Sequence, residues 1–479
     1  MKSKLSFFDL VIVGVMASVG FSMLLPAVLR QRAAARNVLC ASNLKALGLA
    51  MHNYHAAYNQ LPPGLGGTVG GEDDTSNQGR LGPIVPLTPF LEEQPLWEKI
   101  ANPYVSPKTG KRFPAMGPAP WFDPAEYDPW AATFSTLRCP DDMEDKPDAS
   151  KQEPIVVMAL AMPDLPPGAI DLATLCNYVV CYGDGTYMMG ENIDVKDVEA
   201  VNRVRAGMRG VFCGNQRMRF RDILDGLSNT LAMSETISPG ENDAKESHIA
   251  QGIQGLSLNP SLCLKAHDGD HADWWGVRRG SRWADGTLAI SGFQTVLPPN
   301  SPTCLSDLGM DDPIASASSR HADGVYALMT DGRVVFIRDS IDCGDSSKPG
   351  VSVGEGYARP GSQSPYGIWG ALGTRASKEV LPNPNPDLAP VESGTVRNRN
   401  GQIQRGGNED KWTTWTDRDG KHRLKARVNR IIDRETVELE DTKGILHRVP
   451  LNTLSDQHIV MAVMMYEMDL ESEAASKSE

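Results

Sequence analysis

The stretch "KLSFFDLVIVGVMASVGFSMLLPAVLRQRAAARNVLCASNLKALGLAMHNYH", residues 4–55, decides how this chain is read. From Leu10 to Leu29 it runs twenty residues without a charge. As a helix rising 1.5 Å per residue, that run is roughly 30 Å long, enough to cross the hydrocarbon core of a bilayer. Lys2 and Lys4 precede it, and Arg30, Arg32 and Arg36 follow. Residues 1–29 are therefore expected to form a transmembrane half-helix. A cleaved secretory signal is the alternative, with Met1–Lys4 as its basic start and "RAAARN" supplying small residues, but such a signal's apolar region is only about 7 to 15 residues long. Basic residues at both ends leave the orientation open by the positive-inside rule. Asp9 is the lone carboxylate of the segment. Placed in lipid it implies a partner, whereas at the headgroup level it is simply an early helix residue favoured by the dipole.

The helical pattern continues past Arg36. Ala33, Cys40, Leu44, Leu47 and Met51 fall at i, i+7, i+11, i+14 and i+18, an apolar stripe of helical period. One long helix is expected from about Phe7 to about His55, kinked at Pro26, where a backbone hydrogen bond is lost. "LPPG" at 61–64 closes it.

The 479 residues carry a net charge of −13, of which residues 1–60 hold +5, leaving −18 on the rest. So acidic a body repels phosphates and excludes nucleic acid as a partner. Eight cysteines include no CxxC pair, which disfavours a zinc ribbon. Cys139, Cys176, Cys181, Cys213, Cys263, Cys304 and Cys343 are candidates for disulfides if the bulk lies outside the cytoplasm, with buried thiols the alternative.

Residues 60–380 read as mixed and strand-rich. "GVYALMTDGRVVFI" gives two apolar strands about an Asp331-Gly332 turn, and "LSNTLAMSET" gives another after Asp225-Gly226. The search for chemistry finds no GxSxG, GxxxxGK[ST], HExxH or GxGxxG. In "HDGDHADWW", His267 and His271 are spaced like zinc ligands on a helix, and Asp268, Asp270 and Asp273 could hold calcium. Gly269 and the aspartates favour a solvated loop instead. "SSRHADG" brings Ser318, Ser319, His321 and Asp323 together in sequence, but a turn leading into the hairpin explains them without catalysis. No cofactor is implied. Residues 381–410, rich in Pro, Asn and Gly, read as a linker. Residues 411–463 hold short alternating strands with turns at Asp419-Gly420 and Lys443-Gly444, the pattern of a small barrel, and 464–479 form a tail.

The ordered blocks "LLPAVLRQRAAARNVLCASNLKALGLAMHNYHAAYNQLPPG", "LRCPDD", "NYVVCYGDGT", "RGVF", "FRDILDGLSNTLAMSE", "SRHADGVYALMTDGRVVFI" and "YGIWGALGTRASKEV" resemble the pilin-like domain-of-unknown-function family 1559. The resemblance implies an α+β fold: a long pilin-like helix laid on an antiparallel sheet with insertions, spanning 30–380 beyond its membrane half. It also implies that Asp9 meets a neighbouring subunit during assembly and that processing falls between Lys4 and Leu5. Pilins carry glycine and phenylalanine at those two positions. The C-terminal block resembles the Sla-type first homology domain, an SH3-like barrel, through Trp415, Asp419, Gly420, Val449, Pro450, Leu451, Leu454 and Ser455. Together these imply a non-catalytic, single-pass inner-membrane protein with its bulk outside the cytoplasm, acting as scaffold, adaptor or self-assembling subunit. The alternatives are a glycan- or peptide-binding protein whose barrel recruits a partner and, further off, a metal-dependent hydrolase.

Overall fold

The computed structural model describes residues 35–142, 175–186, 196–214, 216–239, 245–266, 273–274, 277–306, 313–353 and 361–379, and short strands between 388 and 450. The chain divides into two units, Met1–Ser393 with Asn398–Gln402, and Gly394–Arg397 with Ile403–Glu479.

The first unit is built on helix α1, residues 35–58. Its predicted stripe is its buried face: Cys40, Leu44, Leu47 and Met51 are each fully inaccessible. That face lies on a six-stranded sheet. In chain order the strands are β1 (Tyr178–Cys181), β2 (Leu231–Glu235), β3 (Gly292–Phe293), β4 (Gly324–Met329), β5 (Val334–Arg338) and β6 (Leu388–Pro390). In space the order is β6-β5-β4-β2-β1-β3.

Period-two alternation divides the sheet's side chains between two cores. Tyr178, Val180, Tyr326, Leu328, Val334 and Phe336 face α1. Val179, Cys181, Val325, Ala327, Val335 and Ile337 face the opposite side, where α2 (Gly367–Gly373) covers them with Trp369 and Leu372. The result is helix, sheet, helix. Gly48 allows α1 to approach closely, since a Cβ there would stand 2.9 Å from a Leu328 methyl. The expected hairpin is formed: β4 and β5 pair antiparallel, and Gly332 takes φ +90° in the turn. That left-handed conformation suits glycine.

Several expectations need correction. Among the described residues the N-terminal helix is 35–58, so the long helix expected from Phe7 to His55 is found there only in its second half, and no described helix is long and apolar enough to cross a membrane. Among the described residues, therefore, no helix carries the expected single-pass inner-membrane placement. α1 is apolar on a packed stripe and is interrupted by Arg36, Asn43, Lys45 and His52, as suits a helix lying on a sheet. The expected membrane half, 1–29, lies outside the described residues. The sheet is mixed rather than antiparallel, because β1 and β3 run parallel.

The stretch expected as a linker contributes β6, which pairs with β5, and a hairpin of Thr395–Arg397 with Ile403–Arg405. The proline that ends β6, Pro390, is tolerated because the strand lies at the sheet edge, where fewer ladder donors are needed. In the second unit, Thr413–Thr416, Arg423–Asp433, Thr436–Asp441 and Leu446–Pro450 pair antiparallel in linear order. The first and last of these strands do not pair with each other, so the described residues form an open meander and not the expected closed barrel. Irregular register between Val428 and Arg430 and between Ile431 and Asp433 bends the long strand without closing the sheet.

Candidate functional site

Four separate blocks converge at the N-terminal end of α1: Arg36 and Cys40 of the helix, "RCPDD" at 138–142, the end of β2, and "SRHADG" before β4. Cys40 and Cys139 are joined as a disulfide across 99 residues, tying α1 to the second block. Beside it stands His321, whose side chain is 1% exposed. Its Nε2 lies 3.1 Å from Glu235 Oε1 and 3.8 Å from Cys139 Sγ, and its Nδ1 lies 3.0 Å from Asp141 Oδ2. The Tyr326 ring meets the imidazole edge to face at 4.8 Å.

Each partner is held in turn. Asp141 accepts from Arg36 Nε at 2.7 Å. The second oxygen of Glu235 accepts from the Tyr326 backbone N–H at 2.8 Å. Asp142 accepts from Ser238 N–H at 3.0 Å, Ser238 Oγ at 2.6 Å and Arg320 Nε at 3.1 Å, and also from Asn177. The turn that presents His321 uses Ser319, whose hydroxyl accepts from the His321 N–H and donates to Gly324 C=O, while Asp323 takes a left-handed φ of 64°.

Glu235 reaches this site through a defect in the sheet. Leu231 faces the α2 side, and strict alternation would send residue 235 to the same side. The register between β2 and β4 slips between Leu231 and Met233, so Ala232 and Met233 both face α1. The slip reverses the parity, and Glu235, opposite Tyr178, emerges on the α1 face. A bulge of this kind re-aims side chains.

Burial by itself would lower the basicity of His321. The charges and hydrogen bonds of Glu235 and Asp141 outweigh it and push the pKa from 6.5 up to about 10. Burial opposes ionisation of Asp141, but contacts with His321 and Arg36 hold its carboxyl below the usual range. At neutral pH the centre is an imidazolium clasped by two carboxylates. Nε2 is hydrogen-bonded to Glu235 and Nδ1 stands at ion-pair distance from Asp141. A ring protonated on both nitrogens has no free lone pair, so it acts as a fastener between blocks rather than as a base. The same centre can offer metal ligands: Cys40, Cys139, Glu235 and His321 each place one ligand atom within 4.8 Å of the others.

A second buried ionic pair joins the "GDGT" and "RGVF" blocks, with Arg209 Nε 3.0 Å from the inaccessible Asp184. Here two backbones touch: a Cβ on Gly210 would meet Tyr182 C at 2.2 Å and Gly183 N at 2.4 Å.

The sequence-predicted site residues fare differently. Lys4, Leu5, Asp9, His267, Asp268, Asp270 and His271 lie outside the described residues, and of Asp273 only the backbone is described, in strand Asp273–Trp274. Cys139 pairs with Cys40, which was absent from the expected set, and Cys263 pairs with Cys304. Cys176, Cys181 and Cys213 are buried thiols, and Cys343 forms no disulfide. Burial pushes Cys176 up to about 11 and raises Cys181 and Cys213 as well. Ser318, Ser319, His321 and Asp323 form the expected turn, but the partners of His321, namely Asp141 and Glu235, were not expected. The available signal was that "RCPDD", "LAMSE" and "SRHADG" each carry a charged group beside an apolar strand or turn.

Neither a curated protein nor a solved structure matches the chain significantly. The family model described as "Protein of unknown function (DUF1559)" matches residues 30–344, which contain α1, β1–β5 and every block of the His321 centre, and the chain belongs to that family.

Proposed function

We propose that the protein is a non-catalytic assembly subunit whose copies associate through the outward face of α1. The observation that carries this reading is the composition of that face. Ala35, Val38, Leu39, Ser42, Lys45, Ala46, Leu49, Asn53 and Ala56 point away from the sheet, and Lys45 is their one charge. Leu39 is 52% exposed and Leu49 is 63% exposed. A surface helix normally turns charged residues outward, and contiguous exposed apolar residues mark association sites. The small residues Ser42 and Ala46, one turn apart between the two leucines, let a second helix approach closely. The sealed His321 centre supports the same reading, since it stiffens the end of α1 while holding its ionisable groups away from solvent.

The test is light scattering and sedimentation of the full chain, wild type against Leu39→Glu combined with Leu49→Glu. Association of the wild type that weakens at least tenfold in the variant, at an unchanged melting temperature, supports the reading. A wild type that stays monomeric at all concentrations, or a variant that associates equally well, overturns it.

A further inference from the structure

We infer that the Cys40–Cys139 disulfide conceals a metal site: reduced by a dithiol, its two sulfurs join His321 Nε2 and Glu235 Oε1 as the four ligands of one zinc-class divalent cation. The four ligand atoms lie within 4.8 Å of one another. In a tetrahedral site with bonds of about 2.0 to 2.3 Å, neighbouring ligand atoms stand about 3.3 to 3.8 Å apart. Nε2 to Cys139 Sγ is 3.8 Å and Nε2 to Glu235 Oε1 is 3.1 Å, so these edges are nearly in place. Once the disulfide is cleaved the two sulfurs must part, and rotation about their side-chain torsions allows that.

Three further features fit a metal better than they fit a bare disulfide. The ligand set, two thiolates with an imidazole and a carboxylate, is of the soft and borderline type that selects zinc over calcium or magnesium. Asp141 sits 3.0 Å from Nδ1, the ring nitrogen that the metal does not use. A carboxylate at that distance raises the ring's basicity and stands where metal-ligating histidines usually have their outer-shell partner. Glu235 is oriented in the same way, because its other oxygen is occupied by the Tyr326 N–H.

The exchange balances. The dithiol's two sulfurs form a new S–S bond and the Cys40–Cys139 bond breaks, moving two electrons to the protein sulfurs. On binding, the cation displaces the Nε2 proton, and three protons in all are released, two from the thiols and one from the imidazolium. In the oxidised state the imidazolium fills the centre with one positive charge between Glu235 and Asp141. In the reduced state the divalent cation fills it instead, so the tie between α1, the 138–142 segment and β2 persists in either redox state.

The experiment uses the full chain reduced with dithiothreitol, desalted under nitrogen and titrated with Co2+ and then Zn2+. The expected result is one Co2+ per chain with thiolate-to-cobalt charge transfer and tetrahedral d–d bands, displaced by Zn2+, and no such spectrum in the oxidised protein. Zn2+ also raises the melting temperature of the reduced chain. Cys263→Ser combined with Cys304→Ser keeps the spectrum, which assigns it away from the second disulfide. Cys40→Ser combined with Cys139→Ser abolishes it. Should that variant fail to fold, Asp141→Asn decides the matter, with metal affinity falling about 10- to 100-fold. Absence of the tetrahedral thiolate spectrum after reduction overturns the inference, as does its persistence in the Cys40/Cys139 variant or equal binding by the oxidised chain.

Discussion

His321 Nε2 and Glu235 Oε1 stand 3.1 Å apart across 86 residues of sequence, with 1% and 2% of their side chains exposed. A charge so placed is stabilised by its partners alone, and that makes stability depend on pH. The folded pKa of about 10 exceeds the ordinary 6.5, so the stabilisation is complete below pH 6.5 and is lost as pH rises towards 10. The expected loss over that window is about 3 kcal/mol or more. Urea midpoints measured between pH 6 and 10 check it against His321→Gln. Titrating thiols also destabilise the chain at high pH, so the difference between the two proteins is the quantity to read. Parallel curves for wild type and variant would show that His321 is not the group responsible.

The two disulfides close loops of unequal size, with sequence separations of 99 and 41 residues. If each acts by restricting the unfolded chain, the longer loop stabilises by about 0.8 kcal/mol more, on a total of about 4 to 5 kcal/mol. Cys40→Ala with Cys139→Ala should therefore lower the denaturation midpoint more than Cys263→Ala with Cys304→Ala. The first pair should also speed amide exchange in α1, because that disulfide secures the helix's N-terminal half. An equal or reversed ranking would place the stabilisation in local contacts rather than in loop closure.

Gly210 faces the backbone of Tyr182 and Gly183, and a methyl group there has nowhere to go. Gly210→Ala should separate the "GDGT" and "RGVF" segments, disturb the Arg209–Asp184 pair and cost about 3 kcal/mol or more. A similar change at Gly110 is the control: a Cβ there meets nothing within 4 Å, so its cost reflects only the left-handed φ of 72°. Comparable melting temperatures for the two variants would contradict the contact.

What was legible in the sequence was local. The stripe of Cys40, Leu44, Leu47 and Met51 repeats at helical period, and Asp331-Gly332 sits between two apolar runs, so the buried face of α1 and the β4–β5 hairpin follow from spacing alone. The His321 centre was hidden because its members meet only through the fold. Glu235 ends an apolar strand whose alternation points it the other way, and only the slip between Leu231 and Met233 turns it inwards. Cys40 reads as a member of the apolar stripe, and nothing in its spacing marks it as the partner of Cys139. Strand β6 is hard to read because the prolines before it, Pro382, Pro384 and Pro386, and Pro390 within it give the stretch a linker's composition, although an edge strand can accept a proline such as Pro390. The open meander at 413–450 has the alternation of a barrel, and strand closure is not encoded in alternation.

Arg279 gives the sharpest test of buried polar satisfaction. It is wholly inaccessible and faces backbone carbonyls: its two terminal nitrogens donate to Leu288, Ala289 and Gly292 at 3.3, 3.1 and 2.8 Å and to Ser316 at 2.9 Å. Two of these acceptors, Leu288 and Ala289, belong to the one-turn helix Leu288–Ser291, where Leu288 C=O also accepts from the Gly292 N–H, and the third, Gly292, opens β3. The carbonyls of so short a helix are largely without intrahelical donors, and carbonyls at a helix C-terminus favour a cation. The planar guanidinium serves four of them at once, a geometry that a lysine ammonium cannot reproduce. Removing the donors strands buried acceptors at about 1 to 3 kcal/mol each, so Arg279→Met should cost about 3 kcal/mol or more. That is a large part of the 5 to 15 kcal/mol typical of a folded domain. Arg279→Lys should recover only part of the loss. Urea denaturation of the three proteins measures the order. A methionine variant as stable as wild type would mean that the carbonyls find other donors and that the arginine is dispensable to the fold.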